Sequence, residues 1–327
     1  MVIKITTKVT PSNKTETLPG KLPIDVAQGP SDLIPFIDKI TIVVPILANN
    51  ASGIYENIWA HVDDTDVFQD AGSKAKSGGF KFAKRISLPA TTARPLFQLS
   101  YADKKAQKVR LDFNPRKVTP EGVTQLQSIL TSLLPDGWDY IKDHGHLTRL
   151  DVAVDIPATR PGMFAFLPQQ GLTTKSWSVN GKLQTATLGK KKGNQTLIYN
   201  KKEQRLAQGN PWPGPATVRV ERRLRNPSLG KLSGLPALAN PFNVIQLAKI
   251  MPAPPPGVKP WIWELFRDAV SVRGLPAALA VLPKELRTTY RGYLKQHPHP
   301  SWDVDAIWKH WPEVLQQSEL LYSASFK

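Results

Sequence analysis

The chain has 327 residues, 41% hydrophobic and 21% charged, with 43 lysines and arginines against 26 acids and a net charge of +17. That length provides a sizeable buried core, and the surplus of positive charge favours a polyanion as partner, because neutralised phosphates release counterions. There is no cysteine, which excludes disulfides, thiolate zinc sites and a cysteine nucleophile, and no run approaches the ~18 apolar residues of a membrane-spanning helix.

Residues 1–36 are rich in Thr, Pro, Lys and Ser without periodicity, show no signal-peptide block, and read as a flexible arm of a cytoplasmic protein. Ile40, Ile42, Val44 and Ile46 alternate as in a strand, and Pro45 marks an edge or a strand end. Asp70 to Gly79 reads as a small-residue loop. A βαβ-like unit follows. Val109, Leu111 and Phe113 alternate in its first strand; Thr119 caps and Pro120 opens a helix with the stripe Val123, Leu126, Leu130, Leu133 and Leu134, which Pro135 and Gly137 end. In the strand Leu147 to Ile156, Leu150, Val152, Val154 and Ile156 share one face, and Arg149, Asp151, Ala153 and Asp155 the other.

Two strands near 184–188 and 195–201 are joined by the loop Gly189-Lys190-Lys191-Lys192-Gly193. If the second strand runs on to 203, Tyr199, Lys201 and Glu203 share a face opposite Ile198. In Thr217 to Arg225, Val218, Val220 and Leu224 point one way, and Arg219, Glu221, Arg223 and Arg225 the other. Met251 to Pro260 holds five prolines and reads as a stiff connector. Helical spacing then links Ile262, Leu265, Phe266, Ala269 and Val270, next Leu286, Tyr290, Tyr293 and Leu294, and last Val304, Ile307, Trp308 and Trp311, where Pro312 interrupts. The expected fold is α+β: a mainly antiparallel central sheet backed by helices, followed by a small helical C-terminal domain. Its expected organisation is an arm at 1–36, an α+β domain at 37–228, a connector at 229–260 and a helical domain at 261–327.

Three strands thus place charge on one face and apolar residues on the other. Acids and bases together on an open sheet face suit a phosphodiester site, where carboxylates hold a hard divalent cation and Arg or Lys grips phosphate. Residues 182–225 hold eleven basic and two acidic residues, a local charge of +9. Lys190, Lys191, Lys192, Arg219, Arg222 and Arg223 are therefore the candidate DNA contacts. A solvated face of cross-strand ion pairs is the plainer alternative. Asp151 and Asp155 lie about 13 Å apart along a regular strand, so Asp151 with Glu221 is the preferred metal pair and Asp155 a third candidate.

The ordered segments LTRLDVAVDI (147–156), TATLGKKKGNQTLIYNKKEQ (185–204) and VRVERRLRN (218–226) resemble the Rep-trans family of rolling-circle replication initiators of plasmids and phages. The shared features are an Arg-x-Asp-x-x-x-Asp strand, a glycine-turn strand pair ending in Tyr-Asn-Lys, and an Arg-x-Glu strand, together about a quarter of the chain. The resemblance implies metal-dependent nicking of a double-stranded origin, with Mg²⁺ or Mn²⁺, a 5′-phosphotyrosine link, a homodimer and a host helicase as further partner. By that resemblance Tyr199 is the nucleophile, Lys201 and Arg149 assist it, and Asp151 and Glu221 hold the metal. The three lysines of the glycine turn and the run Arg222-Arg223 are more basic than the family pattern, so no origin sequence carries over.

Two rivals remain. An HUH endonuclease would use His144-Gly145-His146 as its metal pair and Tyr290 or Tyr293 as nucleophile, but Gly145 reads as a turn and the tyrosines as helix packing. A non-catalytic DNA-binding regulator would keep the basic sheet without metal. RNA binding is poorly supported, because the late tryptophans are spaced as core residues.

Overall fold

Period-two alternation of apolar residues builds the central layer of the protein. The computed structural model describes residues 33–76, 80, 82–88, 91, 93–100, 107–167, 173–190, 192–225, 230–318 and 321. Residues 1–32 of the expected arm, and Lys191, lie outside the described residues.

The strands are β1 (Phe36–Pro45), β2 (Phe68–Asp70), β3 (Phe82–Ile86), β4 (Leu96–Ser100), β5 (Lys108–Phe113) and β6 (His146–Pro157). They continue with β7 (Phe164–Leu167), β8 (Thr174–Val179), β9 (Lys182–Leu188), β10 (Gln195–Asn200), β11 (Thr217–Arg225) and β12 (Gln246–Lys249). The α-helices are α1 (Ala51–His61), α2 (Pro120–Leu133), α3 (Trp138–His144), α4 (Lys201–Ala207), α5 (Pro260–Arg273), α6 (Leu275–Ala280), α7 (Lys284–Lys295), α8 (Val304–Trp308) and α9 (Trp311–Gln317).

Among the described residues, ten strands form one antiparallel sheet in the order β2-β3-β4-β5-β1-β6-β11-β10-β9-β8, and β7 pairs with β12 apart from it. The fold is α+β, as its alternating segments predict. β1 lies between β5 and β6 and is antiparallel to both. β5 and β6 therefore run parallel, joined by α2 and α3 in a crossover split by β1. Pro45 is the last residue of β1, where the missing N–H costs the ladder least.

Ile40, Ile42 and Val44 are fully buried, in one core with Val109, Leu111, Leu150, Val152 and Val154. α2 covers it with Val123, Leu126, Leu130 and Leu133. The Thr119 hydroxyl accepts from the Gly122 N–H at 3.2 Å, so the predicted cap is in place. With helices on that face, the opposite face of the sheet is left to polar side chains.

Residues from 230 onward contribute to the core. Leu232, Leu235, Phe242 and Leu247 enter the main core, as do Trp302, Ile307 and Trp311 from the C-terminal region. A second cluster joins Ala165 and Ala248 of the small sheet to Trp263, Phe266, Val270, Tyr290 and Leu294. Pro312, expected to interrupt a helix, opens α9 instead. No helix among the described residues is long and apolar enough to cross a membrane.

Candidate active site on the polar face of the sheet

Register decides which polar side chains meet. Asp155 pairs with Arg219 and Asp151 with Arg223 across β6 and β11, and Tyr199 pairs with Arg219 across β10 and β11. Side chains two apart share a face, so Asp151, Asp155, Arg219, Glu221, Arg223 and Tyr199 converge on one surface.

Glu221 is the hub. One carboxylate oxygen accepts from the Tyr199 hydroxyl at 3.1 Å, and the other accepts from Arg223 Nε at 2.5 Å. Arg223 Nε also lies 3.7 Å from Asp151. Asp151 in turn accepts from Arg149 Nε at 2.8 Å and from its Nη2. Beside them Arg219 grips Asp155 with two parallel bonds of 2.7 and 2.8 Å and donates to Asp38 at 2.9 Å. Its guanidinium and that of Arg116 both lie over the Phe36 ring, at 4.7 and 4.3 Å. A neighbouring set on β1 and β5 joins Lys39, Thr41 and Arg110 to Asp112.

Burial makes these contacts consequential. The Asp151 and Glu221 side chains are each only 2% exposed, against 29% for Arg223 and 17% for Arg149. Burial raises the Glu221 carboxyl above the usual carboxylate range, and the hydrogen bond from Arg223 partly offsets it. Burial likewise raises the Tyr199 phenol; Arg219 opposes this and Glu221 adds to it. Burial, then Arg219, pulls Lys201 down to about 8.

The sequence-predicted residues do not all fall where their spacing places them. β10 ends at Asn200, whose side chain accepts from the Glu203 N–H at 3.2 Å and caps α4. Lys201 and Glu203 are therefore helical and do not alternate with Tyr199. Lys201 still returns to the site, with Nζ 5.7 Å from the centre of the Tyr199 ring and bonded to Gln204 at 2.8 Å. Arg222 lies on the opposite face, as period two requires, 9% exposed and donating to Thr196 at 2.9 Å. The structure does not bring it to the cluster. Asp155 is held by Arg219, away from the Asp151–Glu221 pair. Lys190 and Lys192 flank the tip of the β9–β10 hairpin, where Gly189 has φ +97° and an added Cβ would meet the Asn194 carbonyl at 2.4 Å.

The HUH arrangement finds no geometry. His144 ends α3 with its ring 4.7 Å from that of Tyr140, whereas His146 opens β6. Tyr290 is fully buried against Trp263 and Phe266, and the Tyr293 hydroxyl donates to the Ala253 carbonyl.

Among the described residues no three His, Cys, Asp or Glu side chains gather as a metal cage. Asp151 and Glu221 nevertheless converge on a single cationic group, Arg223. Two carboxylates completed by water and phosphate oxygens suit Mg²⁺, which seldom uses an all-protein cage. Sequence reasoning missed Phe36, Asp38, Lys39 and Asp112, because nothing in β1 or β5 announces which strands lie beside β6. It also missed β8, although Asn180-Gly181, with φ of 49° and 68°, is the two-residue hairpin signal.

Fold and site together define an antiparallel α+β protein whose polar sheet face holds a tyrosine–carboxylate pair within a lattice of arginines. Among solved structures, the chain is similar to the rolling circle replication initiator protein from Geobacillus stearothermophilus, with 13% identity, a TM-score of 0.33, and coverage of 74% of this chain and 98% of that one. No family model matches, and no curated protein matches.

Proposed function

We propose that this protein initiates rolling-circle replication by binding a double-stranded origin and nicking one strand with Tyr199. The observation that carries the reading is the Tyr199–Glu221 hydrogen bond, set among arginines on the polar sheet face. A phenol is a weak nucleophile near neutral pH and needs a base and stabilised charge to attack. Glu221, whose carboxylate oxygen lies 3.1 Å from the phenol oxygen, is the proton acceptor within reach of it. In the reaction the Tyr199 oxygen bonds to phosphorus, the bond from phosphorus to the 3′ oxygen breaks, and the phenolic proton passes to Glu221. The 3′ oxygen takes up a proton from water and leaves as a free 3′-OH, while the 5′ phosphate stays on Tyr199. Arg219 and Lys201 offer positive charge beside the phenol, and Arg149 fixes the carboxylate of Asp151.

Asp151 and Glu221 would hold Mg²⁺ or Mn²⁺, with Arg223 yielding its place between them. When bound, the ion supplies charge to offset that building on the phosphate oxygens. Lys190, Lys191 and Lys192 of the β9–β10 turn supply positive charge for duplex phosphates in this reading. A homodimer and a host helicase are the further partners of this reading.

The test is incubation with a supercoiled plasmid carrying the protein's own gene and flanks. Open circles should form with Mg²⁺ or Mn²⁺ and not with EDTA. Tight binding with no nicking under any metal condition would leave a non-catalytic regulator and its ion-paired sheet face.

A further inference from the structure

Register extends the row that contains Tyr199 to the edge of the sheet. Tyr199 pairs with Thr185 of β9, and Thr185 pairs with Trp177 of β8, so all three share the polar face. Two residues along, Lys175 pairs with Thr187 on that same face. Trp177 is the most exposed tryptophan among the described residues, at 67%, and Lys175 is exposed beside it. The other side of β8 serves packing: Ser178 donates to the Val272 carbonyl near the end of α5, and Ser176 lies against Gly274. The hairpin turn at Asn180-Gly181 and a register shift just after Trp177 fix how its side chain is presented.

We infer that Trp177 and Lys175 form a platform for single-stranded DNA, with one nucleobase stacked on the indole beside the strand that Tyr199 attacks. The inference rests on the nicking reading above and adds a binding residue to it. Three observations support it. Two strand spacings separate Trp177 from Tyr199, about 10 Å, which leaves a base flanking the reacting phosphate within reach. Thr185, which lies between them, is small and polar, so the intervening floor is low. Stacking on an exposed indole tolerates any base, and a lysine beside it holds the backbone, the combination that binds single strands without reading sequence. Residues 173–190, which build this edge, hold Lys175, Lys182 and Lys190 and no acidic residue, which favours a nucleic acid over an apolar partner here.

The experiment measures binding of the full chain to a fluorescein-labelled oligo-dT of about fifteen nucleotides, and to a duplex of equal length, by anisotropy in EDTA. Trp177→Ala should weaken single-strand binding about tenfold or more and leave duplex binding within about twofold. Trp177→Phe should recover most of the loss. Trp261→Ala, which removes an exposed tryptophan of α5, should change neither. The inference is overturned if Trp177→Ala keeps full single-strand affinity, if it weakens both DNAs equally, or if the wild-type chain does not bind oligo-dT. It is also overturned if Trp177→Ala alters only self-association in sedimentation, which would make this edge a contact for a second copy. No cleavage occurs in EDTA, so loss of stacking is read separately from loss of nicking.

Discussion

Glu221→Gln isolates the hub of the site with little change in shape. The native carboxylate accepts from Tyr199 with one oxygen and from Arg223 with the other. A glutamine has one carbonyl oxygen, so it satisfies one donor and turns its own NH₂ toward the second. One buried charge-assisted hydrogen bond is lost, about 1.5–3 kcal/mol, and Arg223, being 29% exposed, recovers part of this in water. A net loss of about 2 kcal/mol corresponds to a fall in melting temperature of roughly 4–8 °C for a large domain. Glu221→Ala should cost more, since it leaves the Tyr199 hydroxyl without an acceptor as well as a void. Removing the proton acceptor should slow nicking by about a hundredfold or more, in the range of general-base effects. Thermal melting, duplex binding by anisotropy and plasmid nicking give the three readouts. A folded Glu221→Gln protein that nicks at the wild-type rate would refute the assignment. So would a protein that fails to fold at all, because Glu221 would then be a structural partner of the arginines.

The pH dependence follows from the same groups. Nicking should fall as Lys201 loses its charge near pH 8. Lys201→Arg should move the alkaline limit upward, and a limit that stays in place assigns it to another group. For stability the sign is opposite to that of an ion-paired lysine: the unfolded chain binds more protons between about 8 and the ordinary 10.5, so the Lys201 contribution becomes less unfavourable as pH rises through that window. Neutralising Lys190, Lys191 and Lys192 together should lower the slope of log affinity against log salt by about one for each phosphate that is no longer neutralised. Arg222→Met should leave DNA affinity within about twofold, because that side chain donates to Thr196 on the opposite face. A drop as large as that of the lysine variant would return Arg222 to the interface.

The parts legible in the sequence are those governed by short-range periodicity. Alternation in β6 and β11 put Arg149, Asp151, Asp155, Arg219, Glu221 and Arg223 on one face, and the same rule places Arg222 on the other. Thr119-Pro120 marks the start of α2 for local reasons. The end of β10 is also local, since an asparagine followed three residues later by glutamate is a capping pattern; alternation beyond Tyr199 masks it and extends the expected strand through Lys201. Contacts between distant segments were not legible. Arg219 meets Asp38 across 181 positions of sequence, and β1 carries no sign that it separates β5 from β6. Leu232, Phe242, Trp302 and Trp311 join the main core from stretches read as connector and helical domain, because composition shows where a chain is stiff or helical but not what it packs against.

The central claim is that Tyr199 is the nucleophile, and the most direct measurement locates the covalent bond. Origin DNA labelled at the 3′ end of the nicked strand, on the portion whose 5′ phosphate joins the protein, is incubated with protein and Mn²⁺, resolved on a denaturing gel, and the adduct is mapped by peptide mass spectrometry. The account predicts a nucleotide phosphate on the peptide containing Tyr199, and no adduct from Tyr199→Phe although it binds the origin. An adduct on Tyr290 or Tyr293, or one that persists in Tyr199→Phe, would contradict it.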